Sequence, residues 1–312
     1  MQISIFGLVA VGLLGCTTFG AMAEDTACKV IHMSDPGWTD ITATNGVANV
    51  VLTALGYEPD IRSLSVPIGY GAMKSGDTDV FLGNWMPAQQ HFIDDLKSAD
   101  AIEVMNKNLT GAKFTLAVPA YMKDRGIKDF ADLAAHADEF ESTIYGIEAG
   151  APANASIQKM LDEGDFGLAG WHLVESSEQG MLAQLERAVH AQKGIVFLAW
   201  APHPMNEQFT LEYLSGGDAY FGPNYGGAEV YTLARKGWPD TCPNAARLFR
   251  SLTFDISMEN QLMGKILGGA DATAAAAEWL KANPAVLTNW LDGVTTLDGQ
   301  PGEPAVKAAL GL

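Results

Sequence analysis

The sequence I-V-F-L-A-W-A-P-H-P, residues 195–204, indicates the fold of this chain more clearly than any other stretch. Its first four residues are consecutive apolar side chains, which is typical of a strand buried on both faces, as in a parallel sheet. Trp200 follows at the predicted end of this strand, and Pro202 prevents the strand from continuing. Because ligands of α/β proteins bind just beyond the carboxyl ends of strands, Trp200 is a candidate ligand contact.

The same pattern occurs earlier, in the sequence V-F-L-G-N-W-M-P, residues 80–87, where Trp85 follows an apolar strand. The two copies are far apart in the chain, which favours one copy in each lobe of a two-lobed protein. A third tryptophan, Trp38, follows the apolar segment 29–33 and a turn. Three tryptophans at predicted strand ends suggest an aromatic box for a cation, because indole faces attract positive charge. The alternative for each is an ordinary core residue, since tryptophan is usually mostly buried.

The first 23 residues contain no acidic or basic side chain. Residues 3–14 form an apolar run that is too short to span a bilayer as a helix, and the sequence A-M-A at 21–23 favours signal-peptidase cleavage before Glu24. We therefore predict a signal peptide at 1–23 and an exported mature chain. The alternative is a lipoprotein anchored through Cys16.

Two cysteines, Cys28 and Cys242, follow the predicted signal peptide. In an oxidising compartment such a pair is expected to form a disulfide. That bond would join the first strand to a point more than two hundred residues later in the sequence, so the N-terminal and C-terminal parts would share a lobe. A catalytic thiol or a cysteine-based metal site has little support.

The size and charge of the chain limit its organisation and partners. The 289 residues that remain after cleavage (312 minus 23) exceed the usual size of a single core, so two lobes are expected. The formal net charge of −18 argues against nucleic acid and anionic membranes as partners, and it suits attraction of small cations. The alternative is a solvated acidic surface with no such role.

Strands and helices alternate along the chain, which predicts an α/β protein with mainly parallel sheets. Examples are a helix at 41–55, a strand at 114–118 and a helix at 178–192, begun by Ser176 or Ser177 as a cap. After the strand at 230–234 the pattern becomes mostly helical. This late helical block is expected to close over an earlier lobe, in agreement with the disulfide.

Motifs of common enzymes are missing from the sequence: there is no G-x-S-x-G elbow, Walker A loop or H-E-x-x-H helix. The six histidines have no metal-ligand spacing, so neither a metal nor a cofactor is predicted. His91 and His203 follow the two Trp-x-Pro elements and either line a cleft or make local hydrogen bonds. Asp40 either caps the helix that begins near it or faces the cleft beside the tryptophans.

Six motifs of this sequence resemble those of the substrate-binding proteins of ABC importers for choline and betaines, in particular the periplasmic choline-binding proteins of alphaproteobacteria. The resemblance covers essentially the mature chain. The motifs are G-W-T-D-I-T-A-T (37–44), D-V-F-L-G-N-W-M-P (79–87), V-E-S-S-E-Q-G-M-L-A-Q (174–184), A-P-H-P-M-N (201–206), F-G-P-N-Y-G-G-A (221–228) and M-G-K-I-L (263–267).

The resemblance implies a type II periplasmic-binding-protein fold, with two α/β lobes joined by two crossovers and closing on ligand like a hinge. The first lobe would comprise residues 24–112 plus 217–312, and the second residues 113–216. Cys28 and Cys242 match the disulfide of the family, and both fall in the first lobe.

The resemblance also implies a ligand site. In choline-binding members the ammonium head lies in an aromatic box, and Trp38, Trp85 and Trp200 stand at three of its positions. The fourth position is a tyrosine in the family and is Phe114 here. Asp40 matches the carboxylate that contacts choline.

Two positions depart from the family pattern. The asparagine that helps to hold the hydroxyl end of choline is Ala151 here, and the glutamate that follows the box tryptophan is Ala201. Loss of the glutamate would ease entry of a carboxylate-bearing ligand, so glycine betaine and dimethylsulfoniopropionate are alternatives to choline. His203 and Asn154 are further candidates for the cleft.

These observations predict a monomeric periplasmic solute-binding protein that delivers a small cationic or zwitterionic ligand to the permease and ATPase subunits of an ABC importer, and that performs no chemistry. An exported hydrolase of choline esters is an alternative from another class, but it would need a nucleophile with an oriented base. A role as partner of a chemoreceptor is compatible with transport.

Overall fold

The computed structural model describes residue 24 and residues 26–312. The predicted signal peptide and the possible lipidation site Cys16 lie outside these residues. In the described part of the chain, no helix combines the length and apolar character needed to cross a bilayer.

Strands and helices alternate as the sequence predicts. The strands are β1 (Val30–Asp35), β2 (Glu58–Ser63), β3 (Val80–Met86), β4 (Ile102–Pro119), β5 (Thr143–Tyr145), β6 (His172–Val174), β7 (Val196–Ala201), β8 (Leu211–Tyr213) and β9 (Gly227–Arg235). The helices are α1 (Thr39–Ala54), α2 (Val66–Ser75), α3 (Gln90–Ser98), α4 (Pro152–Glu163), α5 (Glu178–Ala191), α6 (Met205–Gln208), α7 (Asp218–Phe221), α8 (Pro223–Gly226), α9 (Trp238–Thr241), α10 (Pro243–Ser251), α11 (Ile256–Leu267), α12 (Ala272–Ala282), α13 (Val286–Trp290) and α14 (Gly302–Leu310). Short 3-10 helices lie at Thr26–Cys28, Ala120–Arg125, Phe130–Phe140 and Asp165–Gly167.

The strands form one sheet in the order β2-β1-β3-β9-β4-β7-β5-β6, and β8 pairs with β4. Pairing is parallel between β1 and both β2 and β3, and between β5 and both β6 and β7. It is antiparallel between β3 and β9 and wherever β4 takes part. The prediction of mainly parallel sheets was therefore wrong. The apolar run in β7 reflects burial on both faces, which a central strand has whatever the direction of its neighbours.

Strand β4 connects the two halves of this sheet. Its first part, from Ile102 to Lys113, pairs with β9, and its second part, from Lys113 to Ala117, pairs with β7. Lys113 has partners on both sides, namely Ala201 in β7 and Gly227 in β9. The predicted lobe boundary at residues 112 and 113 thus falls where β4 changes its pairing, and the division itself stays a prediction.

Some elements differ from the predictions in extent. β4 begins at Ile102 rather than near Phe114, because its register against β9 shifts at three places and these irregularities break the alternation that marks a strand. The segment Phe130–Phe140 is a 3-10 helix, and α14 extends the late helical block to Leu310. The predicted cap of α5 is confirmed, since the Ser177 side chain accepts a hydrogen bond from Gly180 N.

The N-terminal and C-terminal parts of the described chain are joined as predicted. Cys28 and Cys242 form a disulfide across a sequence separation of 214 residues. Beside it, Glu24 N donates to Leu297 O and Glu24 Oε1 accepts from Asn244 N. Helix α1 packs against α11 and α12, and α10 and α11 pack against β4, so the late helical block joins the earlier elements.

Candidate functional site

A cleft lies where β3, β4 and β7 meet the N-terminal ends of α1 and α4. About 440 Å³ of space there is free of protein atoms, open solvent at the mouth of the cleft included. The side chains that line it are Trp38, Asp40, Trp85, Ala88, Gln89, Phe114, Ile147, Pro152, Ala153, Leu198 and Trp200.

Four aromatic side chains form most of the wall. Trp38 precedes α1, Trp85 lies in β3, Phe114 in β4 and Trp200 in β7, and they expose only 5–8% of their surfaces. Phe114 and Trp200 are directly opposite each other in the β4–β7 pair, so their side chains emerge from the same face of the sheet. The Trp85 ring meets Phe114 edge to face, with centroids 6.4 Å apart.

The two Trp-x-Pro elements share a local structure. Trp85 and Trp200 are the penultimate residues of their strands, close to the strand ends at which the sequence predicts them. The peptide bonds Met86–Pro87 and Ala201–Pro202 are both cis. Because each tryptophan lies within a buried strand, the backbone pairing of that strand holds it in place.

Asp40 is the one acidic residue among the side chains that line the cleft. It lies in the first turn of α1, where its Oδ2 accepts a 3.0 Å hydrogen bond from Trp85 Nε1. Its Oδ1 is buried and has no hydrogen-bond partner among the described residues. Burial, and secondarily the nearby Glu178, raise the pKa of Asp40 to about 7. Of the two roles considered for Asp40, the geometry favours the cleft, because its side chain lines the cavity and bonds to Trp85.

Glu178, at the start of α5, is a buried residue that the site prediction did not include. Its Oε2 accepts from Thr39 N at 2.9 Å, and its Oε1 accepts from Thr39 Oγ1 at 2.6 Å. His203 Nε2 lies 3.1 Å from the same Oε1. Because His203 Nδ1 accepts from Met205 N, Nε2 carries the proton and donates to Glu178.

Glu148 was also missed as a site residue. It follows β5 and its Oε1 accepts a 2.7 Å hydrogen bond from Trp38 Nε1. Burial is the largest of the influences that raise its pKa to about 7. In the sequence, Glu148 is marked only by its place in a loop, and Glu178 only by its place in the family motif at 174–184.

The remaining predicted cleft residues do not line the cavity. His203 is fully buried, makes the local hydrogen bonds described above and packs edge-on against Trp200 at 4.8 Å. Asn154 bonds to the backbone at Ile147 and Glu148 and to the Glu175 side chain. His203 thus contacts the cleft residue Trp200, and Asn154 bonds to the backbone of Ile147, which lines the cleft, and of Glu148.

Two further predicted positions, Ala151 and His91, are not among the residues that line the cavity. Ala151 is buried at the N-terminal end of α4, where its neighbours Pro152 and Ala153 line the cavity instead. Its contact with a ligand stays a prediction. His91 is exposed and its ring lies against Phe92 at 3.9 Å.

Gln89 lines the cleft through a buried polar network that the sequence did not predict. Its Nε2 donates to Gly83 O at 3.0 Å, and its Oε1 accepts from the hydroxyl of Tyr70 and from Asn84 Nδ2. These bonds fix the amide beside Trp85. Both polar atoms of this amide have hydrogen-bond partners, which is compatible with a mostly apolar wall.

The charges around the cleft are negative. Asp40 lines it, and Glu148 and Glu178 lie behind Trp38 and Thr39. Within the described residues, no lysine or arginine lines the cavity. The same residues contain no cluster of three or more His, Cys, Asp or Glu side chains that could hold a metal ion. The arrangement can stabilise a positive charge by contact with aromatic faces and one carboxylate.

Comparison of the sequence with known proteins gives one family and several relatives. The sequence model of a family described as "Substrate binding domain of ABC-type glycine betaine transport system" matches residues 29–282. An uncharacterized protein, ORF1, of Chromohalobacter salexigens is 49% identical over 127 residues, which are 41% of this chain and 82% of that protein. The glycine betaine/carnitine transport binding protein GbuC of Listeria monocytogenes is 30% identical over 163 residues. That match covers 52% of this chain and about half, 53%, of GbuC.

Solved structures are similar over a larger part of the chain. An ABC-transporter choline-binding protein in complex with choline is 53% identical, with a TM-score of 0.91, and the match covers 92% of this chain and all of that one. The same kind of protein in an unliganded semi-closed conformation gives a TM-score of 0.85. Lactococcal OpuAC in its closed form with glycine betaine is 25% identical, with a TM-score of 0.77, over 84% of this chain and 99% of that one.

Proposed function

Because the chain belongs to the family of substrate-binding domains of ABC-type glycine betaine transport systems, we propose that it captures a small quaternary ammonium cation, such as choline, for an ABC importer. Its fold is the α/β fold of periplasmic binding proteins. The cation would lie between Trp38, Trp85, Phe114 and Trp200, with Asp40 as its counter-charge.

The observation that carries this proposal is the composition of the cleft wall. Four aromatic residues converge on one cavity, and the buried oxygen Oδ1 of Asp40 beside them lacks a hydrogen-bond partner among the described residues. A quaternary ammonium group has no N–H to donate, so it requires surfaces that attract charge without hydrogen bonds. A carboxylate oxygen left unpaired in a buried site costs free energy, which an entering cation would offset.

A cation is favoured over a zwitterion for the same site. The carboxylate of glycine betaine or dimethylsulfoniopropionate would need donors, yet the described residues that line the cleft include no lysine or arginine. The indole N–H groups of Trp38 and Trp85 already donate to Glu148 and Asp40. The zwitterions remain the second candidate because small apolar side chains, Ala151 and Ala201, stand at the two positions that depart from the family pattern.

Binding by lobe closure is part of the proposal. We assign residues 24–112 plus 217–312 to lobe 1 and residues 113–216 to lobe 2, with crossovers near Lys113 and Gly216. Support comes from β4, whose first part pairs with β9 and whose second part pairs with β7. Aromatic residues from both proposed lobes line the cleft, so closure would bring them around the ligand and exclude water.

The protein would perform no chemistry on its ligand. A hydrolase of choline esters needs a base that takes the proton of a nucleophile. In the buried Thr39–Glu178–His203 chain, the Thr39 hydroxyl donates to Glu178 and not to the imidazole, so this constellation lacks that contact. An assay with acetylcholine tests this point, and turnover would contradict the proposal.

We further propose that the protein works as a monomer in the periplasm, after cleavage of residues 1–23, and delivers its ligand to the permease and ATPase subunits of the importer. The strongly acidic chain suits capture of small cations and keeps it away from anionic surfaces. Presentation of the loaded protein to a chemoreceptor would use the same closed form.

Tryptophan fluorescence and calorimetric titrations with choline, glycine betaine, carnitine and dimethylsulfoniopropionate test the ligand class. We expect choline to bind most tightly, and a zwitterion that binds tighter would establish the second candidate. If none of the four binds, the proposed function is wrong. The variant Phe114→Tyr restores the phenol of the family and should shift the preference further towards choline.

A further inference from the structure

The N-terminal end of α1, which carries Trp38 and Asp40, is bonded to a side chain from a distant part of the chain. Trp38 stands at the N-cap position but its side chain caps no N–H, and the first helical N–H groups of any α-helix lack partners within the helix. Thr39 N donates instead to Glu178 Oε2, and Thr39 Oγ1 donates to Glu178 Oε1. Thr39 and Glu178 are 139 residues apart in sequence and expose 3% and 1% of their surfaces.

The Glu178 carboxylate also accepts a hydrogen bond from His203. His203 Nε2 donates to Glu178 Oε1 at 3.1 Å, and the imidazole packs edge-on against Trp200 at 4.8 Å. One carboxylate therefore connects the neighbour of Trp200 with the backbone between Trp38 and Asp40.

We infer that Glu178 is a positioning residue that caps α1 across the cleft and thereby holds the lobes closed around the ligand. The inference rests on the proposed function, because Thr39 falls in proposed lobe 1 and Glu178 in proposed lobe 2. The cap gives the closed form two hydrogen bonds to a charged acceptor, and the open form replaces them by bonds to water. It also fixes the start of α1, and with it the directions of Trp38 and Asp40.

The cap should act on ligand release rather than on capture. The ligand first meets the open cleft, where Thr39 and Glu178 are apart, so the association rate constant should change little. Opening of the closed cleft must break both hydrogen bonds, so loss of either one, such as the hydroxyl bond that Thr39→Val removes, should raise the dissociation rate constant. A residue that served only the fold would not produce this difference between the two rate constants.

The experiment compares Thr39→Val and Glu178→Gln with the wild-type protein by stopped-flow tryptophan fluorescence with choline. We expect each variant to raise the dissociation rate constant about 10- to 100-fold, the range for hydrogen bonds to charged groups, and to change the association rate constant by less than about 3-fold. Thr39→Val leaves the buried His203–Glu178 bond intact, so it remains informative if Glu178→Gln folds poorly.

The matched controls are Thr53→Val on α1 and Glu186→Gln on α5, both at exposed positions. They should leave both rate constants unchanged. The inference is overturned if Thr39→Val keeps the wild-type dissociation rate constant, whether or not it lowers the melting temperature of the ligand-free protein.

Failure of the proposed function would be recognised separately, because wild-type protein would then bind none of the four solutes. In that case spin labels at the exposed positions Lys74 and Gln158, one on each proposed lobe, measure the distance between the lobes without ligand. The cap predicts that Thr39→Val lengthens this distance distribution. Identical distributions in the variant and the wild-type protein would overturn it.

Discussion

The indole N–H of Trp85 donates a 3.0 Å hydrogen bond to Oδ2 of Asp40, while Oδ1 of the same carboxylate stays buried without a hydrogen-bond partner among the described residues. This bond leaves the π face of Trp85 free for a ligand and fixes the carboxylate beside it. One oxygen of Asp40 thus positions the aromatic wall, and the other is available to a cation.

Asp40→Asn tests the counter-charge. The amide keeps an acceptor for Trp85 but removes the negative charge, so we expect the affinity for choline to fall by about 2–3 kcal/mol, or roughly 30- to 150-fold. Calorimetry gives the affinity. The neutral analogue 3,3-dimethylbutan-1-ol, with carbon in place of the charged nitrogen, should bind weakly to wild-type protein and about equally weakly to the variant. Equal losses for choline and the neutral analogue would argue against a charge effect.

The affinity for a permanent cation should depend on pH. Burial raises the pKa of Asp40 and that of Glu148 to about 7, so each becomes increasingly neutral as the pH falls below 7. A cation prefers the ionised carboxylate, and at pH 6 only about a tenth of a group with a pKa near 7 is ionised. We therefore expect choline affinity to fall from pH 8 to pH 6 by about 10-fold for each carboxylate that is fully coupled to the ligand, with proton release on binding near pH 7.

Calorimetry in buffers of different ionisation enthalpy measures that proton release. Asp40→Asn should flatten the pH profile by removing one of the two groups, and Glu148→Gln should do the same for the other. A wild-type profile that is already flat between pH 6 and pH 8 would show that neither carboxylate is coupled to the ligand.

Trp200→Leu tests the aromatic box. Leucine keeps an apolar wall but removes the π face, so we expect the affinity to fall by about 1–2 kcal/mol, or about 5- to 30-fold. Trp171 is an equally buried tryptophan that packs against Phe140 and does not line the cleft. Trp171→Leu should leave affinity largely unchanged. Thermal melts show whether both variants are folded. Equal effects of the two substitutions on affinity would mean that Trp200 does not belong to the ligand site.

Gly226→Ala tests how Phe114 is held. Gly226 has a φ of +69°, and a Cβ at this position would lie 1.8 Å from the carbonyl oxygen of Phe114. Either the loop or β4 must move, so we expect a loss of about 2 kcal/mol or more in unfolding free energy together with weaker choline binding. Denaturant unfolding and calorimetry measure the two effects.

The matched control is Gly71→Ala, inside α2, where an added Cβ meets open space. This change should preserve binding and raise stability slightly, because alanine favours a helix by up to about 1 kcal/mol over glycine. A Gly226→Ala protein that behaves like Gly71→Ala would contradict the close approach to Phe114.

Removal of the disulfide should reduce stability without removing the site. Cys28 and Cys242 close a loop across 214 residues and neither lines the cleft. The double variant Cys28→Ser/Cys242→Ser should lose about 3–5 kcal/mol of unfolding free energy, the range for long loops. Denaturant unfolding measures this loss, and calorimetry at 25 °C should find choline affinity close to that of the wild-type protein. A large loss of affinity in folded protein would link the disulfide to the site.

The sequence predicted the local features whose signals are contiguous in the chain. The buried run in β7, the Trp-x-Pro elements and the Ser177 cap arise from neighbouring residues, because backbone propensity and side-chain periodicity act over a few positions. The cysteine pair was predictable because only two cysteines follow the predicted signal peptide. The family motifs added the two-lobed fold and the candidate box.

Tertiary structure determined what depends on residues far apart in sequence. Strand direction did not follow from the apolar run in β7, since a strand buried on both faces has the same composition in parallel and antiparallel surroundings. Both roles of Asp40 were compatible with its sequence position, and the contact with Trp85 favours the cleft. Glu178 carries no sequence signal for its bond to Thr39, because burial and hydrogen bonding across 139 residues exist only once the chain is folded.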